Sequence, residues 1–168
     1  MPIASQIILS QLTPPAQHAD ILQRKRVASL LAQSLRFPLT LLVAGTGYGK
    51  STSVLSFIEN AKKPVFWYSV SPNDQDPVLF LANLCSAFNM GGQNLGQSAL
   101  TSLEDKNANR LEVLTELANS ITAANLLSSI LVIDDFQTVS RSEEILRLMN
   151  WFIDHLPHSL HMIIVSRV

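Results

Sequence analysis

The chain has 168 residues, 47% of them hydrophobic and 15% charged, with a formal net charge of −1. That is the length of one ordinary domain with a real core, it is not the composition of a disordered chain, and it supplies no global field to draw nucleic acid. The single cysteine, Cys85, excludes an internal disulfide, no apolar run approaches the roughly 20 residues of a membrane span, and no basic segment followed by an apolar one opens the chain, so it reads as cytoplasmic.

In chain order, Met1 to Asp20 contains Leu12-Thr13-Pro14-Pro15, which suits neither regular helix nor central strand and reads as an extended arm against the domain. Apolar positions from Ile21 to Leu35 follow helical spacing. Arg24, Lys25 and Arg26 at the start of that helix read by position alone as a solvated basic turn. Phe37-Pro38 stops the helix. Leu39 to Ala44 is a branched apolar run, a buried strand, and Ser51 to Asn60 is helical with Val54, Leu55 and Ile58 on one face. Val65 to Val70 is a second strand by its β-branched and aromatic content, and Pro77 opens a helix to about Met90, ended by Gly91-Gly92. Gln93 to Asn109 carries little signal and reads as a mobile connection with room for one helical turn.

Leu111 to Ala124 is a further amphipathic helix with Leu111, Leu114, Leu117, Ala118 and Ile121 on its core face. Ser129 to Ile133 is a buried strand ending on Asp134-Asp135. A helix from Ser142 through His155 follows, with Ile145, Leu146, Met149, Phe152 and Ile153 as its core face. His161 to Val165 is a fourth strand delivering Ser166 and Arg167. Trp67 and Trp151 read as core, and the four histidines have no metal-ligand spacing. Strands alternating with helices predict an α/β fold, a mainly parallel sheet with helices on both faces, with ligands at the strands' carboxyl ends.

The first strand leads into Ala44-Gly45-Thr46-Gly47-Tyr48-Gly49-Lys50-Ser51-Thr52. Strand, glycine loop, Lys-Ser and helix together form a phosphate-binding loop. Its glycines let backbone N–H groups converge on an anion, and the helix that follows adds its own free N–H groups and dipole. Lys50 brings a charge for the outer phosphates and Ser51 a hydroxyl for Mg²⁺. Ala44 stands where the formal pattern has glycine, which is tolerable unless that position needs a positive φ. Asp134 and Asp135 end another strand at the same edge, and a hard cation wants such oxygen ligands. Two adjacent acids can divide the work, one at the metal and one beside the γ-phosphate to orient water. Arg167 ends a third strand there, where a guanidinium can reach a terminal phosphate.

On these residues the chain resembles the nucleotide-binding domain of the MalT-like and large LuxR-type transcriptional regulators, in the STAND class of P-loop ATPases. Leu12-Thr13-Pro14-Pro15 is similar to the family's proline arm and Ile21 to Val27 to its arginine motif. Ala44 to Thr52 resembles its Walker A loop, where Ala also stands first. Leu131 to Gln137 resembles its Walker B segment, and Val165-Ser166-Arg167 its sensor strand. Gln137 stands where the family often has His, and Ser71 where it often has Asp.

The resemblance implies a three-layer P-loop NTPase domain over residues 39–168, with residues 1–38 as an arm and first helix packed on it. It implies ATP or ADP and Mg²⁺ as cofactors. Gly45, Thr46, Gly47, Tyr48, Gly49, Lys50, Ser51 and Thr52 would hold the phosphates and Arg24 would lie near the nucleotide. Ser51 and Asp134 would hold the metal, Asp135 would orient water and Arg167 would sense the γ-phosphate. It also implies that the sensor strand lies beside the loop strand, leaving the latter's other side an apolar edge open to self-association. Family members continue into further helical, sensor and helix-turn-helix segments, so the sequence reads as a fragment that does not itself bind DNA. The expected function is an ATP-binding, slowly hydrolysing switch of a signal-dependent transcriptional regulator. A small-molecule P-loop kinase and a nucleotide-binding scaffold without turnover are the two other readings.

Overall fold

A computed structural model describes residues 3–16, 25–105 and 107–168. Four strands form one parallel sheet: β1 (Leu39–Val43), β2 (Val65–Ser69), β3 (Ser129–Asp134) and β4 (Leu160–Ser166), in the order β1-β4-β3-β2. The helices are α1 (Lys25–Ser34), α2 (Lys50–Ala61), α3 (Pro77–Ala87), α4 (Gln97–Ser102), α5 (Arg110–Ala123) and α6 (Glu143–Asp154).

Period-2 alternation along the strands divides the apolar side chains between two cores. Trp67, Ile130, Val132, Ile163 and Val165 meet Val54, Leu55, Phe57 and Ile58 of α2 and Leu31 of α1. Phe66, Tyr68, Leu131, Ile133, Met162 and Ile164 face the larger core built by α3, α5 and α6. Both faces of the central strands are therefore buried, which explains why β3 reads as an unbroken apolar run rather than an alternating one. The result is the expected three-layer α/β architecture.

Caps fix the helix starts. The Asp76 carboxylate accepts the Val78 N–H ahead of α3, Asn109 Oδ1 accepts the Leu111 N–H ahead of α5, and Ser142 Oγ accepts the Ile145 N–H ahead of α6. The turn after β2 is pinned to α3 by Asp74, which is buried and accepts both the Ser71 N–H and the Asn83 amide. Burial and the neighbouring Asp74 carboxylate push the Tyr68 phenol well above its ordinary range, so it stays neutral.

Five expectations are corrected. β1, expected as a buried strand, lies at the end of the sheet with Leu41 and Val43 exposed, because only β4 pairs with it among the described residues. The N-terminal arm is not extended over residues 3–12: it forms two 3₁₀ turns, Ile3–Gln6 and Leu9–Leu12, and Leu12 enters the core; extended backbone begins at Thr13. The segment expected as a mobile connection contains α4, which places Leu95, Ala99, Leu100 and Leu103 in the larger core. That packing depends on Gly96, where an added Cβ would lie 1.9 Å from the Cys85 carbonyl oxygen. On α5, which starts at Arg110, the inward face carries Val113, while Leu111 is exposed, because the helix seats on its neighbours through Val113, Leu114, Leu117, Ala118 and Ile121. Trp151 is half-buried rather than core and stacks on His155 at 4.1 Å.

Candidate functional site

The loop after β1, the end of β3 and the end of β4 line one cleft, formed by Thr46, Gly47, Gly49, Lys50, Ser51, Thr52, Asp134, Asp135, Gln137, Val165 and Arg167. The strand order brings them together: β4 lies between β1 and β3, so three carboxyl ends adjoin.

The loop's shape is set by backbone conformation. Gly47 and Gly49 take φ of +79° and +69°, with no atom within 4 Å of where a Cβ would sit. Glycine is thus required there by its left-handed conformation and not by crowding. Ala44 is not among the positive-φ residues, so an alanine fits the first loop position. Gly49 is also the residue before α2, and no side chain caps the helix; its first backbone bond runs from Ser53 N–H to the Gly49 carbonyl. The N–H groups of Lys50, Ser51 and Thr52 precede that first helical bond and are available to an anion, with the helix dipole behind them. Lys50 crosses the loop and donates from Nζ to the carbonyls of Ala44 and Gly45, both at 2.7 Å.

Asp134 is 6% exposed, and its Oδ1 accepts the Asp135 N–H at 2.8 Å. Burial raises its carboxyl above the ordinary range, against the Ser51 hydroxyl, the Asp135 N–H and the Lys50 charge, which pull the other way. A buried carboxylate beside a serine hydroxyl is a hard-oxygen pair suited to a divalent ion that also takes ligands from phosphates and water. No group of three or more His, Cys, Asp or Glu converges among the described residues, so this pair fits Mg²⁺ shared with a nucleotide better than a dedicated metal cage.

Asp135 takes φ 55°, ψ 34°, the left-handed region that Asp tolerates better than most residues. Its Oδ1 meets Arg167 Nη2 at 3.3 Å and the Gln137 amide at 2.8 Å. Gln137 Oε1 in turn accepts the Arg167 backbone N–H at 2.9 Å. The sequence marks Gln137 only as a difference from the resembled family, and nothing local to residue 137 reveals that it faces residue 167. Of the expected site residues, Gly45 sits in the loop, with the ring of Tyr48 beside it, and Tyr48 is exposed. Arg24 lies outside the described residues, as does the start of the expected helix at Ile21.

A parallel α/β sheet, a glycine loop opening a helix and a carboxylate at a neighbouring strand end define a P-loop domain, a class whose site implies nucleotide binding. Over residues 38–165 the chain matches the family described as AAA domain, and it belongs to that family. It is similar to the HTH-type transcriptional regulator MalT of Vibrio cholerae, at 30% identity over 161 residues and 95% of this chain. The MalT regulators of Vibrio parahaemolyticus and Serratia proteamaculans are each 29% identical, over 95% and 96% of this chain. The chain spans 18% of the length of each of these relatives.

Proposed function

We propose that this domain binds ATP with Mg²⁺, hydrolyses it slowly, and acts as the nucleotide switch of a signal-dependent transcriptional regulator. The observation that carries the reading is the convergence, at three adjacent strand ends, of an uncapped helix start, Lys50, the Asp134–Ser51 pair and the Asp135–Arg167 pair. The similarity to MalT regulators supports the regulatory half of the proposal.

The loop N–H groups and Lys50 bind the β- and γ-phosphates. Ser51 and Asp134 hold Mg²⁺, which when bound neutralises developing charge on the phosphates. Asp135 orients the attacking water and accepts its hydrogen bond. Arg167 reports on the terminal phosphate. Its side chain and that of Asp135 are 48% and 44% exposed, so their ion pair contributes only about 0–1 kcal/mol. A phosphate group, with two oxygens in reach, offers the guanidinium a stronger, bidentate partner. Arg167 therefore rests on Asp135 and transfers to a γ-phosphate at little cost. ATP and ADP differ in what Arg167 touches, and that difference is the switch.

Phosphate release, measured with and without candidate acceptors, tests the reading. ATP-dependent phosphate release without an acceptor, abolished by Lys50→Ala, is expected. Turnover only with a small-molecule acceptor would replace the switch with a kinase, and binding with no turnover would leave a scaffold.

A further inference from the structure

Lys50, Ser51, the two carboxylates and Arg167 leave the polar side chain of Gln137, which also lines the cleft, without a role. Gln137 stands in the 3₁₀ turn Phe136–Thr138 that follows β3. Its NH₂ donates to Asp135 Oδ1 at 2.8 Å while its Oε1 accepts the Arg167 N–H at 2.9 Å. A primary amide presents donor and acceptor together on one plane, which an acid, an ammonium or an apolar chain of that length does not. Through this one group the end of β3 is tied to the end of β4.

Both ends need such a tie. Asp135 lies past the last residue of β3, in the left-handed conformation, with a half-exposed carboxylate that no strand hydrogen bond orients. Gln137 and Arg167 both bind Oδ1, and among the described residues no protein group is bound to Oδ2. One oxygen is held, and the other takes no hydrogen bond from the described residues. Arg167 likewise follows the last residue of β4, and the backbone bond to Gln137 fixes where its side chain starts.

We infer that Gln137 is the positioning residue of this cleft: it presents the free oxygen of Asp135 to the reacting water and anchors the backbone of Arg167, so that the guanidinium exchanges Asp135 for a terminal phosphate while its attachment stays still. The inference rests on the proposed ATP-hydrolysing function.

Two substitutions test it in the intact protein. Gln137→Met keeps the length and most of the volume and removes both hydrogen bonds. Gln137→Glu keeps an acceptor for the Arg167 N–H but loses the donor and sets a second negative charge beside Asp135. Both variants should bind Mg-ADP within about twofold of wild type and hydrolyse bound ATP roughly ten- to hundredfold more slowly in single turnover, the scale on which misplacement of a reacting group acts.

Wild-type hydrolysis in Gln137→Met, or a loss of Mg-ADP affinity that matches the loss of hydrolysis, would overturn the inference. If Lys50→Ala weakens binding and stops turnover while the Gln137 variants match wild type, only the positioning role fails. If wild type and Lys50→Ala alike bind no ATP, the proposed function fails and the inference falls with it.

Discussion

Replacing Lys50 by alanine separates a side chain that serves a ligand from one that serves the core. In the nucleotide-free structure Lys50 Nζ donates to the carbonyls of Ala44 and Gly45 at 2.7 Å, so the substitution does remove protein contacts. Hydrogen bonds to charged groups contribute about 1.5–3 kcal/mol when their partners stay dry. Here both carbonyl residues and Lys50 are only half-buried, so water replaces the ammonium and the loss falls to about 1 kcal/mol. For a domain of this size that lowers the Tm by about 2–4 °C. With nucleotide the ammonium faces phosphate oxygens in a site the ligand has dried, and the full 1.5–3 kcal/mol applies, or about one to two decades of affinity. Calorimetric titration with Mg-ATP, paired with thermal unfolding without ligand, reads both numbers. Unchanged ATP affinity would refute the phosphate-loop assignment. A drop of more than about 10 °C in the unliganded protein would show Lys50 to be a structural residue.

The two acids should fail differently: Asp134→Asn should lower Mg²⁺-dependent nucleotide affinity, whereas Asp135→Asn should bind ATP and leave it unhydrolysed, and equal loss of binding in both, or wild-type turnover in Asp135→Asn, would end that division of labour. Because burial raises the Asp134 carboxyl, the folded protein keeps that proton to a higher pH than the unfolded chain does; this contribution is full below the ordinary carboxylate range and lost as pH rises through the raised value. Unliganded Asp134→Asn should therefore be more stable than wild type near pH 8, with the advantage shrinking as pH falls, and urea unfolding of both proteins across pH checks the sign. Among the described residues the edge strand β1 pairs only with β4, and it exposes Leu41 (60%) and Val43 (52%), so the 168-residue chain should self-associate through that edge. Leu41→Lys should shift it toward monomer by light scattering, and a wild-type chain that is monomeric at every concentration would remove the idea.

Much of the architecture was legible because its signals are local. The branched run at Ile130–Ile133, the helical spacing of Ile145, Met149 and Phe152, and the cap at Ser142 each act between residues a few positions apart. The loop from Gly45 to Ser51 was legible for the same reason, since its glycine conformations and its helix start are written in consecutive residues. The two acids at the end of a strand marked the facing half of the cleft. What tertiary structure alone decided are contacts between distant residues. That Gln97–Ser102 packs as a helix depends on the backbone of Cys85 leaving room only for hydrogen at Gly96. That Leu111 faces solvent and Val113 the core depends on how α5 seats against its neighbours. That Gln137 reaches Arg167 depends on β3 lying next to β4. An unbroken apolar run states that a strand has two buried faces, but it does not name the strand that its backbone will pair with. Pairing is settled by how helices, loops and both sheet faces fill space together, and the bridge from Asp135 through Gln137 to Arg167 exists only once that has happened.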